Sequence, residues 1–273
     1  MKESLKKNDL VTLSITDLGS SGEGFLDPWY SNYVEMFHDE VVWISLKNTL
    51  IMMLVTLVGQ VGIAIVLALM VDNITHGKHF YKTVYFFPIV ISATALGLLF
   101  NLIFLYDKGM LNQILEKLGK VGLTDWKGEG IALFTMMLPV MWQYVGFYFV
   151  ILITGLNNIS DELYEAARID GCTDFGIFMK IILPVIKPAM ASWGAITLIA
   201  RWNDFFWPLL YLRKQAKYTL MVTISLLPVS EGLSTPWPVI LAGTTLVIIP
   251  IIILYLILER FQKAGMMEGA VKG

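Results

Sequence analysis

Residues 158–188 read NISDELYEAARIDGCTDFGIFMKIILPVIKP, a polar interruption between long apolar runs that carries eight charged residues: Asp161, Glu162, Glu165, Arg168, Asp170, Asp174, Lys180 and Lys187. Ser160 stands at the N-cap position of a short helix, with Asp161 and Glu162 in the first turn, where the helix dipole favours negative charge. Gly171 is placed to end that helix in a left-handed conformation. Between them Leu163, Ala166 and Ala167 fall three to four residues apart, giving the helix a small apolar face beside its acids. Thr173 or Asp174 is positioned to cap a second short helix through Phe178, Ile181 and Ile182, which Pro184 is expected to interrupt. The stretch predicts a compact helix-turn-helix knob outside a bilayer.

Glu165, Ala166 and Ala167, then three residues, Gly171, nine residues, Ile181, one residue, Leu183 and Pro184 fill the spacing of a known motif. They resemble the EAA loop of the membrane permease subunits of binding-protein-dependent ABC importers. In that family the loop forms a coupling helix that docks into a groove on the cytoplasmic ATPase. The resemblance therefore implies an ATPase-coupling role for Glu165, Ala166, Ala167, Asp170, Gly171, Ile181, Leu183 and Pro184. A glutamate followed by two alanines is by itself more often an ordinary capped loop; the completed spacing and the spans on both sides carry the resemblance.

Composition agrees with that setting. The 273 residues are 56% hydrophobic and 15% charged, with a mean hydropathy of +0.66, values of an integral membrane protein rather than a soluble domain. A net charge of −2 offers no basic surplus for nucleic acid. The single cysteine, Cys172, excludes an intrachain disulfide framework and reads as a free thiol in a reducing compartment. The first 24 residues contain basic residues but no apolar segment of the kind a cleavable signal peptide needs.

Taken in order, residues 1–48 are too charged to span. The run FLDPWYSNYVEMFHDEVVWISLKNTL resembles the extracellular segment between the first two helices of the carbohydrate-uptake (maltose and glycerol-phosphate type) branch, so five of the family's usual six spans are expected, the first being absent. Asn48 to Val71 is uncharged for 24 residues, or about 36 Å of helix, enough to cross with some tilt. The second expected span is the uncharged run Thr83 to Tyr106, with a kink at Pro88. GMLNQILEKLGK reads as an interfacial amphipathic helix with Leu111, Ile114, Leu115 and Leu118 on one face. The third span is Ile131 to Leu156, containing Pro139. The fourth begins near Pro188 and must continue through RWNDFFWPLLYL to be long enough. The fifth runs from about Pro236 to Leu258. The closing GAVKG again resembles the end of one of the two permease types in sugar importers.

The fold class expected is thus all-α, a polytopic transmembrane helix bundle in the cytoplasmic membrane. It divides into an extracytoplasmic N-terminal segment (1–48), a transmembrane permease domain (49–258, with the coupling loop at 158–188) and a cytoplasmic tail (259–273). With the coupling loop inside, Lys and Arg number eight on its side and twelve on the other, against the positive-inside rule. The motif is taken here to set the orientation.

Polar groups within spans face a bundle interior or a cavity. Tyr144, Tyr148, Trp202, Asn203 and Asp204 are the candidate substrate-path residues. WNDFFWPL resembles the family's segment beside the translocation path, although Arg201 and Asp204, three apart, also suit mutual neutralisation. Trp142, Gln143, Tyr144 and Tyr148 combine ring faces with hydrogen-bonding tips, as a sugar requires, and equally suit helix packing. Asn101 reads as an interhelical hydrogen-bond partner. His76 and His79, with only Asp72 nearby, read as a solvated turn rather than a metal site. No nucleotide-binding loop, HExxH pair or GxSxG elbow occurs, so no enzyme activity, cofactor or metal is expected and any ATP must be bound by another chain.

The resemblance implies a permease subunit of an ATP-driven importer of a sugar or sugar-like solute. Its partners would be a cytoplasmic ATPase dimer, a second, related permease and an extracellular solute-binding protein. The alternative, a secondary transporter or channel without an ATPase, would call for ionisable residues near the bilayer midplane; the first, second and fifth spans contain none.

Overall fold

The computed structural model describes residues 30–72, 74, 76–157, 159–230 and 237–270. Most of the expected N-terminal segment and the last three residues of the tail lie outside them. Among the described residues every regular element is helical. In chain order they are α1 (Ser31–His38), α2 (Glu40–Asp72), α3 (Lys78–Phe86) with a 3-10 turn (Phe87–Val90), α4 (Ala93–Ile103), α5 (Met110–Lys117) and α6 (Ala132–Asn157). After these come α7 (Asp161–Ile169), α8 (Asp174–Ile177), a π turn (Phe178–Ile182), α9 (Leu183–Trp202) and α10 (Phe206–Tyr211). A 3-10 turn (Gln215–Lys217), α11 (Leu220–Ser230) and α12 (Trp237–Ala270) complete the order.

Among the described residues, four stretches are long and apolar enough to cross a membrane: 40–72, 132–157, 178–202 and 237–259. The pair 78–90 and 93–103 makes a fifth if it is one span. That pair corrects the expected second span in the size of its bend, for the kink expected at Pro88 is a break whose halves meet at 95°. Pro88 starts the break: Ile91 turns extended and its N–H reaches back to the Pro88 carbonyl at 3.2 Å. The Ile91 carbonyl is taken up by Gln143 Nε2 at 3.1 Å, since backbone groups released at a break within a membrane protein need a protein partner.

The fourth span is corrected as well. It starts earlier than Pro188, at Phe178, and ends at Trp202, while RWNDFFWPLLYL breaks after Trp202 and resumes as α10. Pro184 does not interrupt it. The Leu183 N–H bonds to the Phe178 carbonyl in the wider π spacing, and the N–H that Pro184 lacks falls where the hydrogen-bond ladder changes register, at the start of α9.

The chain forms two compact units. One comprises residues 54–100, 137–200 and those from 255 on. Its core is aliphatic and aromatic: Ala64, Ala68, Tyr148, Phe149, Leu152, Ile153 and Ile186 are buried together with Ile159, Ala167, Ile177 and Ile182. The polar loop is thereby packed onto the spans it joins. Gln60, fully buried on α2, donates to the Val140 carbonyl of α6 at 3.3 Å.

The other unit comprises residues up to 53, 101–136 and 201–254. Polar pairs tie its helices: Ser45 to Thr223 at 2.8 Å, Asn48 Nδ2 to the Tyr218 carbonyl at 3.1 Å, and the Leu220 N–H to Thr49 Oγ1 at 2.9 Å. On α5 Ile114 is exposed and Leu111 and Leu115 are half-buried, Leu118 just beyond its end is exposed, and its buried residue is Asn112. Asn112 Nδ2 donates to the carbonyls of Tyr106 and Thr124, at 2.9 and 3.0 Å. Its Oδ1 accepts the Thr124 N–H and the Trp126 ring N–H, at 3.2 and 3.0 Å. A polar side chain invisible to an apolar-periodicity argument thus holds the whole 105–126 loop in place.

Candidate functional site

The 159–188 loop begins with Ser160 in an extended conformation at the N-cap of α7, as its residue type predicts, but its hydroxyl makes no capping bond. The C-terminal end is built more firmly. Gly171 adopts φ +75°, a region costly for residues with a Cβ. Its N–H reaches the Arg168 carbonyl at 3.0 Å while the Cys172 N–H reaches Ala167 at 2.9 Å. This is the double bond pattern of a Schellman stop, which satisfies the last carbonyls of α7. Of the two capping candidates for α8, Thr173 acts: its Oγ1 accepts the Gly176 N–H at 3.2 Å.

Burial divides the faces of α7. Ala167 is 7% exposed and sits in the core with Ile159 and Ile177, and Tyr164 and Cys172 pack beside it. Leu163, Ala166 and Ile169 face outward at intervals of three, Ile169 being 85% exposed, with Glu162 and Glu165 alongside. Sequence reasoning grouped Ala167 with the outward face and missed Ile169. The signal was present, for Ile169 extends the Leu163–Ala166 spacing by one more step. Asp170 and Gly171 are exposed at the stop, Ile181 and Leu183 are half-buried, and Pro184 is exposed. The arrangement is a rigid, short helix presenting an acid-flanked apolar stripe and gripping the span core with its opposite side.

The candidate path residues fall in different surroundings. Tyr148 is buried and its hydroxyl meets Thr197 Oγ1 at 2.5 Å and the Trp193 carbonyl at 3.2 Å. Tyr144 is half-buried, Trp142 lies edge-on to Phe100 with ring centres 5.7 Å apart, and Gln143 serves the α3–α4 break. Trp202 is buried and donates its ring N–H to the Val247 carbonyl at 3.1 Å, whereas Asn203 is exposed. Arg201 and Asp204, 6% and 8% exposed, form an ion pair, and Asp204 also accepts the Trp207 N–H at 3.3 Å. Asn101 accepts from Lys127 Nζ. No metal-binding group of His, Cys, Asp and Glu occurs among the described residues.

The buried pair makes a measurable prediction. Asp204→Ala alone leaves the Arg201 guanidinium without its counter-charge and is expected to cost about 3–5 kcal/mol. Arg201→Ala together with Asp204→Ala should cost less, because no isolated charge remains. Thermal unfolding of the purified variants reads the difference; a double variant as unstable as the sum of its parts would count against the pairing.

The model of the binding-protein-dependent transport system inner membrane component family matches residues 60–266, from α2 through the loop and into α12. The chain belongs to that family. It is a family of membrane transport components and not of enzymes. Among relatives, the probable ABC transporter permease protein YurN of Bacillus subtilis is 35% identical over 64% of this chain and 61% of its own length. The arabinooligosaccharides transport system permease protein AraQ of Halalkalibacterium halodurans is 40% identical over 42% of this chain and 41% of its own length. The chain thus spans less than two thirds of these curated relatives. The crystal structure of a bacterial ABC transporter involved in the import of the acidic polysaccharide alginate contains a chain with the same fold, at a TM-score of 0.71 and 19% identity. That likeness covers 94% of this inner membrane component and 88% of the other chain.

Proposed function

We propose that this chain is the transmembrane permease subunit of an ATP-driven importer, accepting a sugar or sugar-like solute from an extracellular binding protein. A separate ATPase dimer hydrolyses the nucleotide on the coupling loop's side, and a second, related permease completes the pathway. The observation that carries the reading is α7 itself. It is stopped by a Schellman turn, exposes the Leu163–Ala166–Ile169 stripe and roots Ala167 in the core shared with the spans. A segment held in this way moves as one body with its helices, so closure of an ATPase pair gripping the stripe is transmitted to them rather than absorbed in a loop. The names of relatives that carry arabinooligosaccharides, diacetylchitobiose and lactose support a carbohydrate cargo.

In this reading Tyr144, Asn203 and the residues around the Arg201–Asp204 pair border the solute path, and Tyr148 and Trp202 hold its wall through their hydrogen bonds. The test is reconstitution: the chain co-expressed with its partner permease and ATPase should take up labelled oligosaccharide only when ATP and binding protein are both supplied. Uptake driven by an ion gradient in the absence of the ATPase would refute the proposal.

A further inference from the structure

α1, the first turns of α2, the start of α11 and a stretch of α12 enclose an open cavity of about 150 Å³. Tyr33, Phe37, Trp43, Leu220, Ile249 and Pro250 are among its walls, and no polar atom is presented to it. An apolar cavity of this size stays dry and takes apolar guests. Its shape is set by a locked joint between α1 and α2. His38 Nδ1 donates to the Val34 carbonyl at 2.7 Å, Asp39 Oδ1 accepts the Val41 N–H at 2.9 Å, and the Trp43 ring N–H donates to the Phe37 carbonyl at 2.7 Å. The cavity lies at the end of α2 away from the polar loop, for Val71 near the other end of α2 packs with Ile159.

The outside of this corner is apolar too. α1 buries Asn32 and Met36 and turns Tyr30, Val34 and Phe37 outward at helical intervals. Trp43 continues that face, and it and Phe37 are each 53% exposed. Lys47 and Leu50 follow Trp43 at steps of four and three residues and are exposed as well. Either another membrane helix or lipid covers such a face. Helices that pack in membranes use small side chains for close approach, whereas this face carries large ones. A helix laid over it would also bury Lys47, which has no carboxylate within ion-pair distance among the described residues, and an unpaired buried ammonium is costly. In lipid, by contrast, a lysine lays its stem along the hydrocarbon and keeps its ammonium among the headgroups, and tyrosine and tryptophan settle at the same boundary. The uncharged run of α2 starts at Asn48, directly after Lys47, which sets the cavity at the level where acyl chains begin.

We propose that the cavity is a binding site for one acyl chain of a membrane phospholipid, with α1 lying in the interface beside it. The chain in nanodiscs, with the partners recovered alongside it, provides the test; the probe is phosphatidylcholine bearing a diazirine on an acyl chain. After illumination, the segments 37–46 and 246–250 should carry lipid adducts more densely than the exposed Leu98, Leu99 and Leu102 of α4. Ile249→Trp, which fills the cavity with a larger side chain, should lose the adducts on 37–46. Ile253→Trp, one turn along α12 and outside the lining, should keep them. Both isoleucines are exposed, so neither change disturbs packed core. Adducts no denser than on α4, or unaltered in Ile249→Trp, overturn the proposal. Benzoylphenylalanine placed at Phe37 should couple to lipid; coupling to a second protein chain assigns the face to a helix and overturns the proposal as well.

Discussion

Gly171→Pro is expected to abolish ATP-driven uptake while leaving the chain in the membrane. Proline holds φ near −65° and has no N–H, yet this position requires φ +75° and a bond from its N–H to the Arg168 carbonyl. Neither requirement can be met, so the Schellman stop opens and α7 loses its fixed angle to the spans. The cost, about 3 kcal/mol or more, falls on the loop, because the spans insert on their own hydropathy. Ile169→Asp separates docking from loop geometry: the residue is 85% exposed, so a carboxylate there disturbs no packing and acts only on a partner. Its expected result is loss of ATPase capture with unchanged thermal stability. Ala167→Glu acts differently again, because Ala167 faces the core and a carboxylate buried there detaches α7 from its anchor. Uptake and ATPase pull-down on matched membrane amounts would decide the matter, and normal transport in Gly171→Pro would remove the coupling role.

Gly146→Leu should have the second large effect, this time on folding. A Cβ on Gly146 runs into the backbone carbonyl of Tyr85 and lies 2.9 Å from the Phe86 nitrogen, so α6 touches α3 backbone to backbone. Small residues allow such approaches in membrane bundles. The obstacle is main chain and cannot rotate aside, which places the penalty at or beyond the top of the usual range of about 1–3 kcal/mol for overpacking. The nearest group to a Cβ on Gly194 is the Leu57 methyl at 3.7 Å, an ordinary contact, so Gly194→Ala is the matched control. Folded yield after detergent extraction should collapse for Gly146→Leu and stay level for Gly194→Ala; equal yields would contradict the close approach.

The all-α class, the apolar runs and the place of the capped polar loop were legible because each rests on local chemistry. Hydropathy over a 24-residue run, a glycine at a helix stop and a threonine cap act within a few residues of themselves. The 95° break was only half legible: Pro88 marks it, but how far the chain turns depends on Gln143 accepting responsibility for the Ile91 carbonyl from another helix. The fourth span was misplaced because a proline was read as a stop, whereas a π turn just before Pro184 lets the helix continue.

The site shows the same division. Gly171 and the outward Ala166 follow from sequence, and Thr173 is one of the two caps it offered, while Ala167 changes sides because only the packed core of Ile159, Ile177 and Ile182 decides which face of α7 turns inward. Asn112, 4% exposed at the hub of a loop, and the gathering of Lys127 with Arg213 and Lys217 join residues far apart in the chain. Sequence by itself determined that this protein is a bundle of membrane helices with one capped polar knob, since transfer to lipid and helix capping are properties of short segments. Tertiary structure alone decided which faces are free, which charges share a cavity and where two backbones touch, since each of these depends on the separation of groups that the chain brings together only when it folds.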